Sequence, residues 1–250
     1  MAANVIDLVI EMRRVTVKEA LAILESGFAG SVPAGRHLSG PGGAPAGEKK
    51  KDFDANHGFE LVGVREIEHP ALIQYLDRRR IDVALARRYL KQVHFRPKGS
   101  LKQYFALGFP SGNGFDARSP VFKGFVGDGK TITTLNFADK GTVAVFEGPY
   151  DFLSWLAMRG IEEPDCGIVI LHSVALRRRA IDAIRAHGFG RLVLYLDRDA
   201  AGRETADLIK AEFGDRNVVD RSSTYTDFKD LNEWRVALGF DGRQANAGDR

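Results

Sequence analysis

Cysteine occurs once in the 250 residues, at Cys166. A lone thiol excludes an internal disulfide and any cysteine-rich zinc site built within one chain, so no zinc is expected. It fits a reducing, cytoplasmic setting. No apolar run approaches the ~20 residues that a spanning helix needs, and no membrane association is expected. The first residues show neither the basic start nor the apolar core of a secretory leader. An excess of one charge sign is also lacking: 36 Lys and Arg face 33 Asp and Glu, a net of +3. That small balance hides an uneven distribution. Residues 61–140 hold 14 basic against 7 acidic side chains, and the remainder holds 22 against 26. A basic middle beside an acidic end is the pattern of a polyanion gripped by one part and worked on by another. Charge alone equally describes solvated surface. With 44% hydrophobic residues the chain can bury a core, as one large domain or two small ones.

The stretch at 142–202 organises what is present. Val143, Val145 and Phe146 run into Glu147; Leu192, Val193, Leu194 and Leu196 run into Asp197. Each is a short apolar run that stops on an acid and is followed by a turn and a helical pattern. Such runs read as strands of a parallel sheet buried on both faces, with the acids at the carboxyl ends, where open α/β sheets place ligands. Glu147, Asp151, Asp197 and Asp199 are therefore expected to converge. Clustered carboxylates call for a cation, and their oxygens suit Mg²⁺ or Mn²⁺. Asp197 and Asp199, two apart on an extended segment, project to the same side. Asp151 reads equally as a support of the site or as a helix-start charge.

Around this stretch the chain divides into five. Residues 1–27 read as a pair of short helices, with a capping box at Thr16 and Glu19. Residues 28–58 are a Gly- and Pro-rich linker. Residues 59–140 read as a basic α+β unit: helices from His69 through Leu76 and from Ile81 to Leu90, then an antiparallel meander with strands at 93–95, 104–109, 115–118 and 131–137. Residues 141–238 alternate strand and helix: a strand to Glu147, a helix at 150–158, a strand at 167–172, a helix at 176–186, a strand to Asp197, a helix at 202–213 and a short strand at Val218 and Val219. Residues 239–250 read as a disordered tail.

Glu-Gly-Pro-Tyr-Asp at 147–151, His-Ser at 172–173 and Asp-Arg-Asp-Ala-Ala-Gly at 197–202 together resemble the signature of the Toprim domain. Bacterial DnaG-type primases, topoisomerases and some nucleases share that domain. His69-Pro70-Ala71-Leu72-Ile73, Tyr104-Phe105-Ala106, Gly114-Phe115, Arg118 and Phe122-Lys123-Gly124 resemble the primase branch, most of all the short primase-like proteins of mobile elements. The likeness spans roughly residues 59–234, with a weaker one at 5–24. It implies an α/β fold: a Toprim domain, Rossmann-like with flanking helices, preceded by a small basic α+β primase subdomain. It also implies catalysis by Glu147, Asp197 and Asp199, with metal held by Glu147, Asp151, Asp197, Asp199 and Asp230. In Lys229-Asp230-Leu231-Asn232-Glu233, which resembles a third acidic motif, Asn232 stands where a second acid often appears. Arg118, Lys123 and Lys130 match positions that meet nucleotide or primer–template; Arg79, Arg87, Arg88 and Lys229 add contacts to nucleic-acid backbone. The chain departs from the pattern in one respect. No Cys/His zinc ribbon precedes Asn4, so the resemblance implies a form that has lost it, one whose zinc domain is supplied elsewhere, or a truncated open reading frame.

The expected activity is synthesis of short RNA primers on single-stranded DNA from nucleoside triphosphates, with a replicative helicase as a further partner. Two alternatives stand: a metal-dependent nuclease using the same acids, and a non-catalytic nucleic-acid-binding accessory. His172 and Ser173 read as site lining or packing, and Cys166 and His187 as structural.

Overall fold

The computed structural model of the chain describes residues 58–138 and 141–239. The helix pair expected at 1–27, the linker up to residue 57 and the tail from residue 240 lie outside the described residues. In chain order the elements are β1 (Phe59–Arg65), α1 (Pro70–Arg78), α2 (Val83–Tyr89), β2 (Lys91–Pro97), β3 (Tyr104–Ser111), β4 (Asn113–Ser119), β5 (Phe122–Asp128) and β6 (Thr133–Leu135). There follow β7 (Thr142–Phe146), α3 (Pro149–Arg159), β8 (Gly167–Ile170), α4 (Arg177–His187), β9 (Arg191–Tyr195), α5 (Ala200–Phe213), β10 (Val218–Asp220) and α6 (Leu231–Leu238). The α/β expectation is met, with parallel strands and flanking helices in the second half.

β1 to β5 form a meander that closes into a barrel, sealed by a parallel contact of Phe59 with Val126. Alternation along each strand sorts its side chains. Tyr104 and Ala106 of β3 and Ala117 of β4 fill the barrel with Val93, Phe95, Phe122 and Val126. Leu107 and Phe109 of β3 point the other way, into a core shared with the second half of the chain. The sequence reading lacked β1 and β5. Glycine at 63, 124 and 127 interrupts their apolar period, and β1 turns Val62 and Val64 to solvent, so neither has a clean inward stripe.

The second half is a sheet in the order β10-β9-β7-β8-β6. β10, β9, β7 and β8 are parallel, and β6 is antiparallel to β8. Both faces of β7 are covered, which explains its unbroken apolar sequence. Val143 and Val145 pack with Ala180, Ile181 and Ile184 of α4 and Ala206 and Ile209 of α5. Ala144 and Phe146 face α3 and, beyond it, α1 and α2. The run at 131–137 was expected to extend the meander. Its ordered part, β6, leaves the barrel and pairs Thr133 with Ile170 and Leu135 with Ile168. The basic unit therefore ends before this strand and not at residue 140, because β8 offers an open edge that the closed barrel does not.

Phe152 of α3 joins the two halves. It is fully buried, and its ring meets Phe109 of the barrel and Phe146 of the sheet edge-on, at centroid distances of 6.3 Å and 5.7 Å. Truncating Phe152→Ala is expected to cost about 3–5 kcal/mol. That lowers the midpoint of thermal unfolding by roughly 6–20 °C for a domain of this size. Circular dichroism checks it; a shift of a degree or two contradicts a shared core.

Candidate active site

Adjacent parallel strands bring their carboxyl ends side by side, and here each end carries an acid. Phe146 of β7 pairs with Tyr195 of β9. The next residue after β7 is Glu147, whose backbone N–H donates to the Tyr195 carbonyl at 3.4 Å. The Asp197 backbone N–H in turn donates to Glu147 Oε2 at 3.3 Å. Asp199 caps α5, its Oδ1 accepting from the Gly202 N–H at 3.0 Å. Glycine is required at 202, since a Cβ there would stand 1.9 Å from the Asp197 carbonyl oxygen. At the start of α3 a Cβ on Gly148 would press on Asp151 Oδ2 at 3.1 Å and Arg118 Nη2 at 3.4 Å. Glu147, Asp197 and Asp199 therefore meet as expected.

Their charges are not left unbalanced. Lys229 Nζ lies 3.3 Å from Asp197 Oδ2 and 3.4 Å from Asp199 Oδ2. Its backbone is moored to the same loop, because the Arg198 N–H donates to the Lys229 carbonyl at 2.7 Å. Lys229 is thus a counter-ion to the acids. Burial, the Asp197 charge and, more weakly, the Asp199 charge push the Glu147 carboxyl up to about 7. Burial and Asp230 raise Asp197 as well. Asp199 is held below its ordinary value by the Gly202 N–H and by Lys229.

Two acids assigned to metal binding are engaged otherwise. Asp151 is buried, with its Oδ1 accepting from the Asn232 N–H at 3.1 Å. Burial, Asp230 and Asp197 raise its carboxyl well above the usual range, and its hydrogen bond to the Asn232 N–H braces α3 against α6. Asp230 caps α6 through the Glu233 N–H at 2.7 Å, though it still borders the cleft described below. Among the described residues no group of three or more His, Cys, Asp or Glu is arranged as a ready metal-binding set. An ammonium stands between the two aspartates where such a set would close.

A cleft of about 560 Å³ opens beside Lys229 and Asp230. Arg78, Arg79, Arg118, Lys123 and Lys229 border it, so one wall is cationic. Arg79 and Arg118 lie over the Tyr150 ring at 4.8 Å and 5.5 Å from its centroid. Arg79 also donates to Tyr75 Oη at 2.8 Å and to Asn232 Oδ1 at 2.6 Å, which makes it a rigid wall and not a loose surface charge. Lys130 is half-buried, with its ammonium 6.0 Å from the Phe125 ring centroid; burial lowers its proton affinity. Arg87 and Arg88 do not border this cleft. Arg87 donates to the Ile67 carbonyl at 2.8 Å, and Arg88 is paired with Glu162 at 3.2 Å and with Glu163. The helical spacing that makes these arginines look like an exposed basic face also aims them at partners on neighbouring segments.

The sequence reading missed Asp116 and the role of Asn232. Asp116 is buried between His172 and Arg118, its Oδ2 3.1 Å from His172 Nδ1 and its Oδ1 3.8 Å from Arg118 Nε. The signal available was Asp-x-Arg at 116–118 on a strand, which puts both on one face. Asn232, also buried, donates from Nδ2 to Ser154 Oγ at 2.8 Å and to the Arg79 carbonyl at 3.0 Å.

The fold and this site define an α/β unit with an acidic cluster at its strand ends. Residues 144–234 match the family model described as Toprim-like, and the chain carries a Toprim-like domain. Residues 61–127, most of the barrel unit, match a family described as a domain of unknown function (DUF8464). No curated protein matches the chain. Among solved structures, the primase fragment of the bacteriophage T7 primase-helicase protein is similar at 16% identity and a TM-score of 0.48, over 79% of this chain and 79% of that one. The primase domains of T7 gp4, in a complex with the phage lagging-strand DNA polymerase, an RNA/DNA hybrid and dTTP, are similar at 16% identity and a TM-score of 0.48. That match covers 70% of this chain and 92% of that one.

Asp116 gives a pH-dependent expectation. Burial works against its charge, but the His172 hydrogen bond, Arg118 and Lys130 outweigh this and hold the carboxyl below its ordinary value. A depressed carboxyl contributes stability above its unfolded value of about 3.9 and loses it as pH falls through the folded value. Urea unfolding should therefore show Asp116→Asn less stable than wild type at pH 6, with the gap narrowing below about pH 4. A gap that is constant or widens toward pH 3 contradicts this assignment.

Proposed function

We propose that the chain is a metal-dependent nucleotidyltransferase of the DNA primase type, joining nucleoside triphosphates into short RNA primers on single-stranded DNA. One observation carries this reading: Lys229, which pairs with both Asp197 and Asp199 of the acidic strand ends, also borders a cleft lined by Arg78, Arg79, Arg118 and Lys123. Template-directed phosphoryl transfer needs those two parts together, an acidic site for the reacting oxygens and fixed cations for the phosphates.

The donor set fits a divalent cation. Carboxylates two residues apart share one ammonium, and repulsion from Asp197 contributes to lifting the Glu147 carboxyl to about 7. Asp197 and Asp199 would hold Mg²⁺ or Mn²⁺, with Glu147 beside them. Bound there, the ion would make an attacking hydroxyl more acidic and offset charge on the leaving phosphates. The remaining work belongs to the chain. Glu147, set at the strand end, accepts the proton of the primer 3′-hydroxyl. Arg118 and Lys123 hold the triphosphate, and the ring of Tyr150 keeps Arg118 from swinging away. Were a cation held by the aspartates, Lys229 would be released from them, and its half-exposed side chain could turn to the cleft it already borders. Single-stranded DNA as template and a replicative helicase as partner follow from the same reading.

Primer synthesis on single-stranded templates, with labelled nucleotides and Mg²⁺ or Mn²⁺, tests it. Asp197→Ala is expected to lower product formation by roughly 10²-fold or more, since a pre-set charge at the reacting centre is removed. Retained synthesis by that variant at saturating metal sinks the reading. Cleavage of the DNA in Mn²⁺ without nucleotides would instead select a nuclease, and binding with neither activity an accessory. The Lys229 assignment has its own measurement. Calorimetric titration with Mn²⁺ should show Lys229→Met binding roughly three- to tenfold more tightly than wild type, because a competing cation is gone. Weaker binding by the variant would show that Lys229 helps the metal and does not compete with it.

A further inference from the structure

Alternation along β4 sends Ala117 into the barrel and leaves Asp116 and Arg118 on its outer face, against the Toprim-like half. A carboxylate buried there needs partners. His172 supplies one from across the boundary. It follows β8 and its loop, its side chain is fully buried, and it adopts φ +59°, a left-handed conformation that residues with a Cβ avoid. A carboxylate has no proton to give, so His172 Nδ1 donates to Asp116 Oδ2 across 3.1 Å. The other ring nitrogen lies 2.9 Å from Thr133 Oγ1, and that hydroxyl lies 2.8 Å from the Pro110 carbonyl. The ring is thus pinned at both nitrogens and packs 5.6 Å from the Phe109 centroid.

Asp116 has a second oxygen, and it faces Arg118. Oδ1 lies 3.8 Å from Arg118 Nε, within ion-pair reach but too far for a hydrogen bond, and that Nε is buried with no hydrogen-bond partner. With Nε turned back toward Asp116, the far end of the guanidinium is directed to the start of α3, where Nη2 passes Gly148, and to the cleft. Each link fixes the next, from the β8 end to the barrel strand and back to the cleft.

We infer that His172 is a positioning residue: through Asp116 it holds Arg118 in the orientation that receives the phosphates of a nucleoside triphosphate. This deepens the reading of the cleft given above and rests on it. A mere clasp between the two halves would use the same contacts for stability alone, and the two roles separate in a double-mutant cycle.

Binding of ATP with Mg²⁺ to the full chain is measured by calorimetry for His172→Asn, Asp116→Asn, Arg118→Ala and the combinations with Arg118→Ala. Asn tolerates the left-handed backbone, so His172→Asn removes the ring without adding strain. Arg118→Ala is expected to weaken ATP binding by roughly 10- to 100-fold, the loss of a charged hydrogen-bonding group. His172→Asn and Asp116→Asn should each weaken it by roughly three- to tenfold in the wild-type background and by less than about twofold once Arg118 is absent. Equal losses in both backgrounds overturn the proposal, as do unchanged affinities in the single variants or no ATP binding by wild type. Thermal unfolding accompanies each variant; if His172→Asn does not fold, the volume-conserving Asp116→Asn completes the cycle. Absent primer synthesis with the cycle intact removes the reaction and keeps the relay. Primer synthesis with additive losses does the reverse.

Discussion

Like charges repel, and yet the pairing of β7 with β9 forces two acid-bearing strand ends together. The rest of the site is a response to that constraint. Strand pairing sets Glu147 beside Asp197, whose backbone N–H donates to the Glu147 side chain. Lys229 offsets the charge from a segment anchored to the same loop. Asp151, one helical turn further on, is buried, and burial together with Asp230 and Asp197 raises its carboxyl well above the usual range. An arrangement held in tension this way has a standing demand for positive charge. A mobile ammonium meets it loosely, and a divalent ion would meet it better.

The barrel answers the opposite need. Its outer face presents guanidinium and ammonium groups to the cleft, and these must be held apart from the acids that would otherwise neutralise them. Rigidity does this. Arg79 is fixed by Tyr75, Asn232 and the Tyr150 ring, and Arg118 by Asp116 and the other side of the same cleft wall. The Tyr150 ring contacts both guanidiniums and lies only three residues beyond Glu147, so one short segment touches the acidic and the basic groups. The shared core around Phe109, Phe146 and Phe152 then keeps the barrel from moving relative to the sheet. Electrostatic stabilisation depends on groups that do not have to reorganise, and that mounting is what the packing provides.

Reading the sequence worked where a residue's role followed from its own strand or helix. Apolar runs stopping at Glu147 and Asp197 mark parallel strand ends because both faces of such strands are buried. It failed where partners come from elsewhere. β1 and β5 lack a clean stripe, since a small barrel tolerates glycine and leaves outward residues in water. The run at 131–137 has strand character, but only the open edge of β8 decides which sheet takes β6. Arg87 and Arg88 are exposed, as their spacing indicates, but their partners Ile67, Glu162 and Glu163 are distant in sequence and no local pattern names them. Asp151 falls one helical turn from Glu147, and nothing local reveals that Asn232 covers it.

Periodicity and the placement of acids in the chain thus determined by themselves that a parallel sheet forms and that its strand ends carry carboxylates. These are properties of residues two to four apart, where backbone geometry alone sets direction. Which carboxylate stays charged, which cation faces it and which arginine reaches the cleft were decided only by the tertiary structure. Those outcomes depend on burial and on charges brought within a few ångströms from positions far apart in the chain, as His172 is from Asp116, and no local pattern encodes such distances.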